Sequence, residues 1–172
     1  MANVTTSLNK IKEEIARSAL EPVFKSVAGY DLEQAGKAYE AQAFKACIIM
    51  LGAVLEGVML GTIRRPDVLN RLRADPSPPS VINRLGLRDP DLADKVADRL
   101  DFEDYKAIIR HLIPDIESQR VEDIQVFRNA VHPWKAVKEP NIYANYDRIQ
   151  ERTTAYILML TILVPHILSW NP

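Results

Sequence analysis

The stretch from Arg128 to Pro133 carries the residue types most able to do chemistry in this chain. Arg128 and His132 are four positions apart, so on a helix they lie one turn apart on the same side. Pro133 disfavours continuation of that helix, which places the pair at a helix C-terminus. A cation beside an imidazole can bind a phosphodiester and transfer a proton to it, but the same pair can also be purely structural.

The neighbours of this pair are also candidates for binding. Asn129 can orient a substrate or hydrogen-bond a nearby loop. Trp134 and Lys135 follow at once, and an aromatic ring beside a cation is typical of RNA or nucleotide contacts. The alternatives are a tryptophan that packs over the helix end and a solvated lysine. His132 itself can serve as an acid or phosphate ligand, or can simply cap the last carbonyls of its helix.

A second unusual charge lies far upstream. Residues 46–63 are nearly all apolar, and Glu56 is the only charge among them. On a helical wheel, Arg128 falls on the same face as Phe127 and Val131, where an arginine needs a partner or a cavity. We therefore predict that Glu56 and Arg128 contact each other. The pair either marks a functional site or only locks two helices in register.

Two apolar segments, 46–63 and 155–170, are long enough to be compared with membrane spans. Glu56 interrupts the first, and Pro165 and His166 interrupt the second, so we predict two central helices of a soluble bundle and no membrane partner. The polar N-terminus does not read as a signal peptide. The single cysteine, Cys47, excludes an internal disulfide and fits a reducing compartment. A cytoplasmic protein is expected.

The pattern of apolar residues predicts an all-α, antiparallel helical bundle forming one domain over 1–172. We expect an N-terminal helix at about 5–28 and a core at about 31–170. Pro22 should kink the first helix and Gly29 should end it. Pro66 should kink or break a second helix that runs from Asp31 to Arg73. Further helices are expected at 80–85, from 89–91, from 101–104 to near Pro114, from 117–118 through His132, and from Asn141 to about Trp170.

The net charge and a row of small residues indicate which partners the chain could bind. The net charge is −1, so no overall basic field attracts nucleic acid. Ala53, Gly57 and Gly61 recur at helical spacing and form a smooth face. That face allows close approach of another helix, either within the subunit or across a dimer.

Two stretches of this chain together resemble uncharacterised bacterial HEPN-like helical proteins: LGAVLEGVML within 39–63, and FRNAVHPWK downstream. The resemblance covers roughly residues 38–168. It implies an α-helical bundle that commonly forms dimers, and in many members a metal-independent RNase of toxin–antitoxin and phage-defence systems. In such an enzyme Arg128 would stabilise the transition-state phosphate, His132 would act as acid or base, and Asn129 would fill the polar position after the arginine.

The spacing of Arg128 and His132 departs from the nuclease members of this family. Three residues separate them here, one fewer than the shortest nuclease spacing, and each added residue rotates a side chain by about 100° around the helix. The first interpretation is therefore a non-enzymatic interaction or scaffold module, homodimeric, in bacterial defence or mobile-element systems, with RNA or protein as its partner. The alternative is a metal-independent endoribonuclease using Arg128 and His132. No cofactor is expected, and no metal, because the histidines lack metal-ligand spacing.

Overall fold

The computed structural model describes residues 3–84, 100–116 and 148–170. Every regular element in these ranges is an α-helix, which confirms the predicted all-α bundle. The helices are α1 (Val4–Arg17), α2 (Pro22–Glu40), α3 (Phe44–Ile63), α4 (Pro66–Ala74), α5 (Ser80–Arg84), α6 (Phe102–Leu112) and α7 (Ile149–Ser169).

The four long helices pack in a ring in which α1 contacts α2, α2 contacts α3, α3 contacts α7, and α7 contacts α1. The helices α1, α2 and α3 alternate in direction, as expected for an antiparallel bundle. Helix α7 runs in the same direction as α3. At its start the Thr154 hydroxyl lies 2.8 Å from the Tyr39 hydroxyl at the end of α2. At its other end the Trp170 carbonyl accepts a hydrogen bond of 3.1 Å from Arg65, just beyond α3.

The core is built around α3, which buries more than half of its residues. Leu51, Val54 and Val58 have no exposed surface, and the facing side of α7 contributes Leu160. A helix that is apolar on nearly every side must be surrounded by other elements. Helices α2, α4, α6 and α7 all contact α3, so it is the centre of the fold.

Two helices, α3 and α7, are apolar and long enough to cross a membrane, with mean hydropathies of 2.1 and 1.3. Because they run in the same direction, two spans would require the intervening chain to cross back. That chain, residues 64–148, is interrupted by charged residues every few positions, and each charge is costly in lipid. The parallel packing therefore supports the interpretation of α3 and α7 as core helices of the bundle over their interpretation as two membrane spans.

The N-terminal helix ends earlier than expected. Instead of a kinked helix over 5–28, α1 ends at Arg17 and α2 begins with Pro22. The Ser18 hydroxyl donates to the Ile15 carbonyl and accepts from the Leu20 amide, which holds the turn between them. Proline is favoured at the first position of a helix because its missing N–H has no partner there in any case. The prediction of a kink at Pro22 and an end at Gly29 was wrong.

The predicted helix from Asp31 to Arg73 is likewise divided. Helix α2 ends at Glu40, and Gln42 adopts φ 59°, a left-handed conformation typical of residues that follow a helix. Pro66 starts α4, which confirms the predicted break. Gly36 lies inside α2, where an added Cβ would be 3.5 Å from Leu8 Cδ1.

Other boundaries agree more closely with expectation. The short helix α5 is present, and α6 starts within the predicted range 101–104, where Asp101 and Asp104 cap it by exchanging side-chain and backbone hydrogen bonds. Helix α7 ends at Ser169 as expected but begins at Ile149, later than predicted. Asn141, the start predicted at 89–91 and the helix carrying Arg128 lie outside the described residues.

The small-residue face of α3 gives a test of the packing. An added Cβ at Gly61 would be 2.9 Å from Leu20 Cδ2 and 3.1 Å from Phe24 Cγ, whereas at Gly57 it would have no atom within 4 Å. Gly61 therefore allows the close packing of Leu20 and Phe24 against α3 within the same chain. Gly57→Ala should raise the free energy of unfolding by about 0.5–1 kcal/mol through helix propensity. The free energy of unfolding of Gly61→Ala should be at least about 1 kcal/mol lower than that of Gly57→Ala, because the added methyl group overpacks against Leu20 and Phe24.

Urea denaturation followed by far-UV circular dichroism measures both glycine variants under the same conditions. Each variant is the control for the other, since both substitutions add one methyl group to the same helix. Equal shifts in the two unfolding free energies would contradict the packing of Gly61 against Leu20 and Phe24.

Candidate functional site

The residues singled out by the Arg-His motif are Arg128, Asn129, His132, Trp134 and Lys135, and all lie outside the described residues. Their roles therefore remain those predicted from the sequence. The described residues do include Glu56 and the other two histidines.

Glu56 lies in the middle of α3 and is half-buried. Ala53, Gly57 and Leu60 occupy neighbouring positions on the same side of the helix and are also partly exposed. Farther along this side, Ile49 is 51% exposed. Glu56 thus belongs to the less covered edge of α3 and not to its innermost face. The predicted contact with Arg128 stays a prediction.

A double-mutant cycle tests the Glu56–Arg128 contact. Arg128→Met alone should strand a partly buried carboxylate and cost up to about 3–5 kcal/mol. Adding Glu56→Leu should recover much of that loss because both partners are then apolar. The free energies of unfolding of the wild type, both single variants and the double variant measure the coupling. Additive losses would show that the two side chains do not interact.

The described residues contain a carboxylate–imidazole pair that the sequence did not reveal. Nε2 of His111, in the last turn of α6, lies 2.6 Å from Oδ2 of Asp75, in the loop after α4. The Ser77 amide donates to Oδ1 of Asp75 at 2.8 Å. The hydrogen bond from His111, followed by that from Ser77, lowers the pKa of Asp75 below its ordinary value of 3.8.

This pair can do two things chemically. A carboxylate that fixes an imidazole is the arrangement by which enzymes orient a general base. It also ties the loop after α4 to the end of α6, two segments far apart in the sequence. Both side chains are only partly exposed, at 33% for His111 and 21% for Asp75, so the bond is sheltered enough to hold the loop in place.

The third histidine has a weaker partner. Nε2 of His166, on α7, lies 3.7 Å from Oδ1 of Asp115, whose side chain is 83% exposed. Within the described ranges, no three His, Cys, Asp or Glu side chains are grouped so that they could hold a metal ion. Cys47 is fully buried in the core, and burial raises the pKa of its thiol to about 12. It therefore remains protonated near neutral pH and fills space in the core.

An arginine and a tryptophan meet at the end of α7. The guanidinium carbon of Arg71, on α4, lies 5.4 Å from the centroid of the Trp170 ring, within the range of a cation–π contact. Arg65 binds Asp67 through two hydrogen bonds and also donates to the Trp170 carbonyl. The sequence offered one signal for this contact, the cluster of arginines at 64–73, but it gave no partner for them.

A shallow groove of about 210 Å³ lies between α1 and α2. Leu8 and Leu32 line it together with Lys12, Lys37 and carboxylates of α2. Lys37 is paired with Glu33 at 2.9 Å. The opposite charges on the walls of this groove balance each other, so it does not select a ligand of one sign.

Comparison with known proteins gives one informative similarity. The chain is 35% identical over 175 aligned positions to a protein of Herpetosiphon aurantiacus named "Putative type II restriction enzyme HgiDII". The alignment covers 98% of this chain and 28% of the Herpetosiphon protein, so the chain spans little more than a quarter of its relative. No protein-family model matches the chain, and no solved structure matches it.

The Asp75–His111 pair predicts a dependence of stability on acid pH. A carboxyl whose pKa is lowered by folding contributes stability above its unfolded pKa, and this contribution is lost as the pH falls through the lowered folded pKa. The difference in unfolding free energy between the wild type and Asp75→Asn should therefore be largest above about pH 4. It should shrink as the pH falls further.

Urea denaturation at a series of acidic pH values measures this difference. Asp115→Asn is the matched control, because Asp115 is highly exposed and 3.7 Å from its histidine, and its effect should be small at every pH. A difference for Asp75→Asn that does not change with pH would contradict the hydrogen-bonded pair.

Proposed function

We propose that this chain is a non-enzymatic interaction module of bacterial defence systems, HEPN-like in fold and homodimeric, which works with the remaining part of a restriction enzyme. The observation that carries this proposal is the match of 98% of the chain to 28% of the Herpetosiphon protein. A segment of that size has the length of one domain within a larger protein. The match therefore supports a module better than a complete enzyme.

Exposed apolar residues support self-association. Leu158 and Ile162 are one helical turn apart on α7 and are 39% and 45% exposed. On α2, the side chains of Val23, Val27 and Tyr30 are exposed by more than half. Apolar patches of this kind on a soluble protein often mark contacts with another protein. A two-fold dimer would cover the same patch on both subunits.

The spacing of the Arg-His motif supports binding over catalysis. One residue fewer between Arg128 and His132 changes their relative direction by about 100° compared with the nuclease pattern. A composite phosphate site built from two such helix ends would then lack its usual alignment.

The second candidate function is a metal-independent endoribonuclease. The presence of Arg128, Asn129 and His132 in the order of the nuclease motif favours it. In that case Arg128 would bind the scissile phosphate, and His132 would transfer the proton.

Two measurements on the purified chain test the proposal. Sedimentation equilibrium should give the mass of a dimer. Incubation with single-stranded RNA in EDTA should leave the RNA intact, because the module lacks catalysis.

Cleavage that persists in EDTA would replace the proposal by the endoribonuclease, provided that both Arg128→Ala and His132→Ala abolish it. Arg17→Ala is the control, because it removes a highly exposed arginine of α1 that lies outside the motif, and cleavage should persist in it. Circular dichroism must show that each variant remains helical. A strictly monomeric chain at high concentration would remove the homodimer and the composite site together.

A further inference from the structure

A cluster of positive charge lies at one end of the bundle. Residues 64–73 contain four arginines and one aspartate, although the whole chain has a net charge of −1. This segment begins immediately after α3 and includes most of α4. It adjoins the C-terminus of α7, because Arg65 donates to the Trp170 carbonyl. A local basic surface can therefore exist on a chain without an overall basic field.

The most accessible member of this group is Arg71. Its side chain is exposed, and its guanidinium lies over the ring of Trp170, which itself packs against the core. Contact with the indole restricts the rotamers of a long side chain, so less entropy is lost when the guanidinium binds a ligand. Its N–H groups form a fork that fits the oxygens of a phosphate.

The two acidic residues that flank Arg71 in the sequence, Asp67 and Asp75, already accept hydrogen bonds from other groups, and the charge of Arg71 makes only a smaller contribution to the lowered pKa of Asp75. Asp67 binds Arg65, and Asp75 binds His111 and the Ser77 amide. His166 lies one helical turn before Trp170 on α7 and is 34% exposed, and its Nε2 is 3.7 Å from Oδ1 of Asp115, whose carboxylate extends into solvent. An exposed cation, an aromatic ring and an imidazole therefore occur together at this end of the bundle, and these groups suit an anionic, base-containing polymer.

We propose that the surface formed by Arg71, Trp170 and His166 binds the phosphodiester backbone of a nucleic acid, with Arg71 as the central contact. This rests on the proposed function, since a module of a restriction enzyme works on DNA. Duplex DNA is therefore the expected source of the backbone, and single-stranded RNA is the other source with the same chemistry. The neutral overall charge predicts binding that is weak and sensitive to salt.

Fluorescence anisotropy with a labelled short duplex DNA and a labelled single-stranded RNA tests this surface on the full chain. At about 50 mM salt the wild type should bind. Arg71→Gln should weaken binding at least about tenfold, and it should reduce the slope of log affinity against log salt by about 0.9 for duplex DNA. Arg71→Lys keeps the charge without the planar fork and should fall between the two.

Arg148→Gln is the matched control. It removes the same charge from an exposed arginine at the other end of α7, roughly 30 Å away along the helix, and it should retain wild-type binding. Stronger binding of RNA that is still lost in Arg71→Gln would support the phosphate surface and assign it to RNA. Equal losses in both variants, no binding by the wild type, or equally tight binding of polyglutamate would overturn it.

The result of this binding experiment can be distinguished from the result of the test of the proposed function. A dimer that does not cleave RNA and shows no loss of nucleic-acid binding in Arg71→Gln leaves the module intact and removes only this surface. Cleavage of RNA in EDTA that depends on His132, together with Arg71-dependent binding, removes the non-enzymatic module and keeps the surface.

Discussion

Burial of α3 is the constraint on which the rest of the structure depends. Its innermost residues, among them Leu51, Val54 and Val58, are inaccessible to solvent. A helix that is apolar on nearly every side is stable in water only when other elements enclose it. Helix α7 completes the enclosure by running alongside α3 in the same direction. As a result both helices end on the same side of the bundle, which brings Trp170 next to Arg65 and Arg71.

The presence and type of most described helices could be predicted from the sequence, because apolar periodicity and capping residues are local signals. The capped start of α6 at Asp101 is an example. The breaks around Ser18 and Gln42 could not be predicted. Their flanking sequences are compatible with helix. The chain turns at these points because α2 packs against both α1 and α3. Pro22 shows the ambiguity, because a proline can either kink a helix or start one.

The candidate sites also divide into those that could be predicted from the sequence and those that could not. Spacing within one helix identified Arg128 and His132, since a separation of four residues has a geometric meaning. The Asp75–His111 bond joins residues 36 positions apart, and the Arg71–Trp170 contact joins residues still farther apart in the chain. Such pairs arise only because the tertiary fold brings α4 and the loop after it to the ends of α7 and α6. The cluster of arginines is visible in the sequence, but the tryptophan ring against which Arg71 packs is known only from the structure.

Two regions are proposed to contact an anionic partner: the Arg-His motif, predicted from the sequence, and the basic end of the bundle, inferred from the structure. Hydrogen–deuterium exchange of the full chain with and without duplex DNA distinguishes them most directly. A module that binds through its basic end predicts added protection in residues 64–75 and 166–170 and intact DNA afterwards. Protection confined to residues 128–138, or degradation of the nucleic acid during the experiment, would contradict this account.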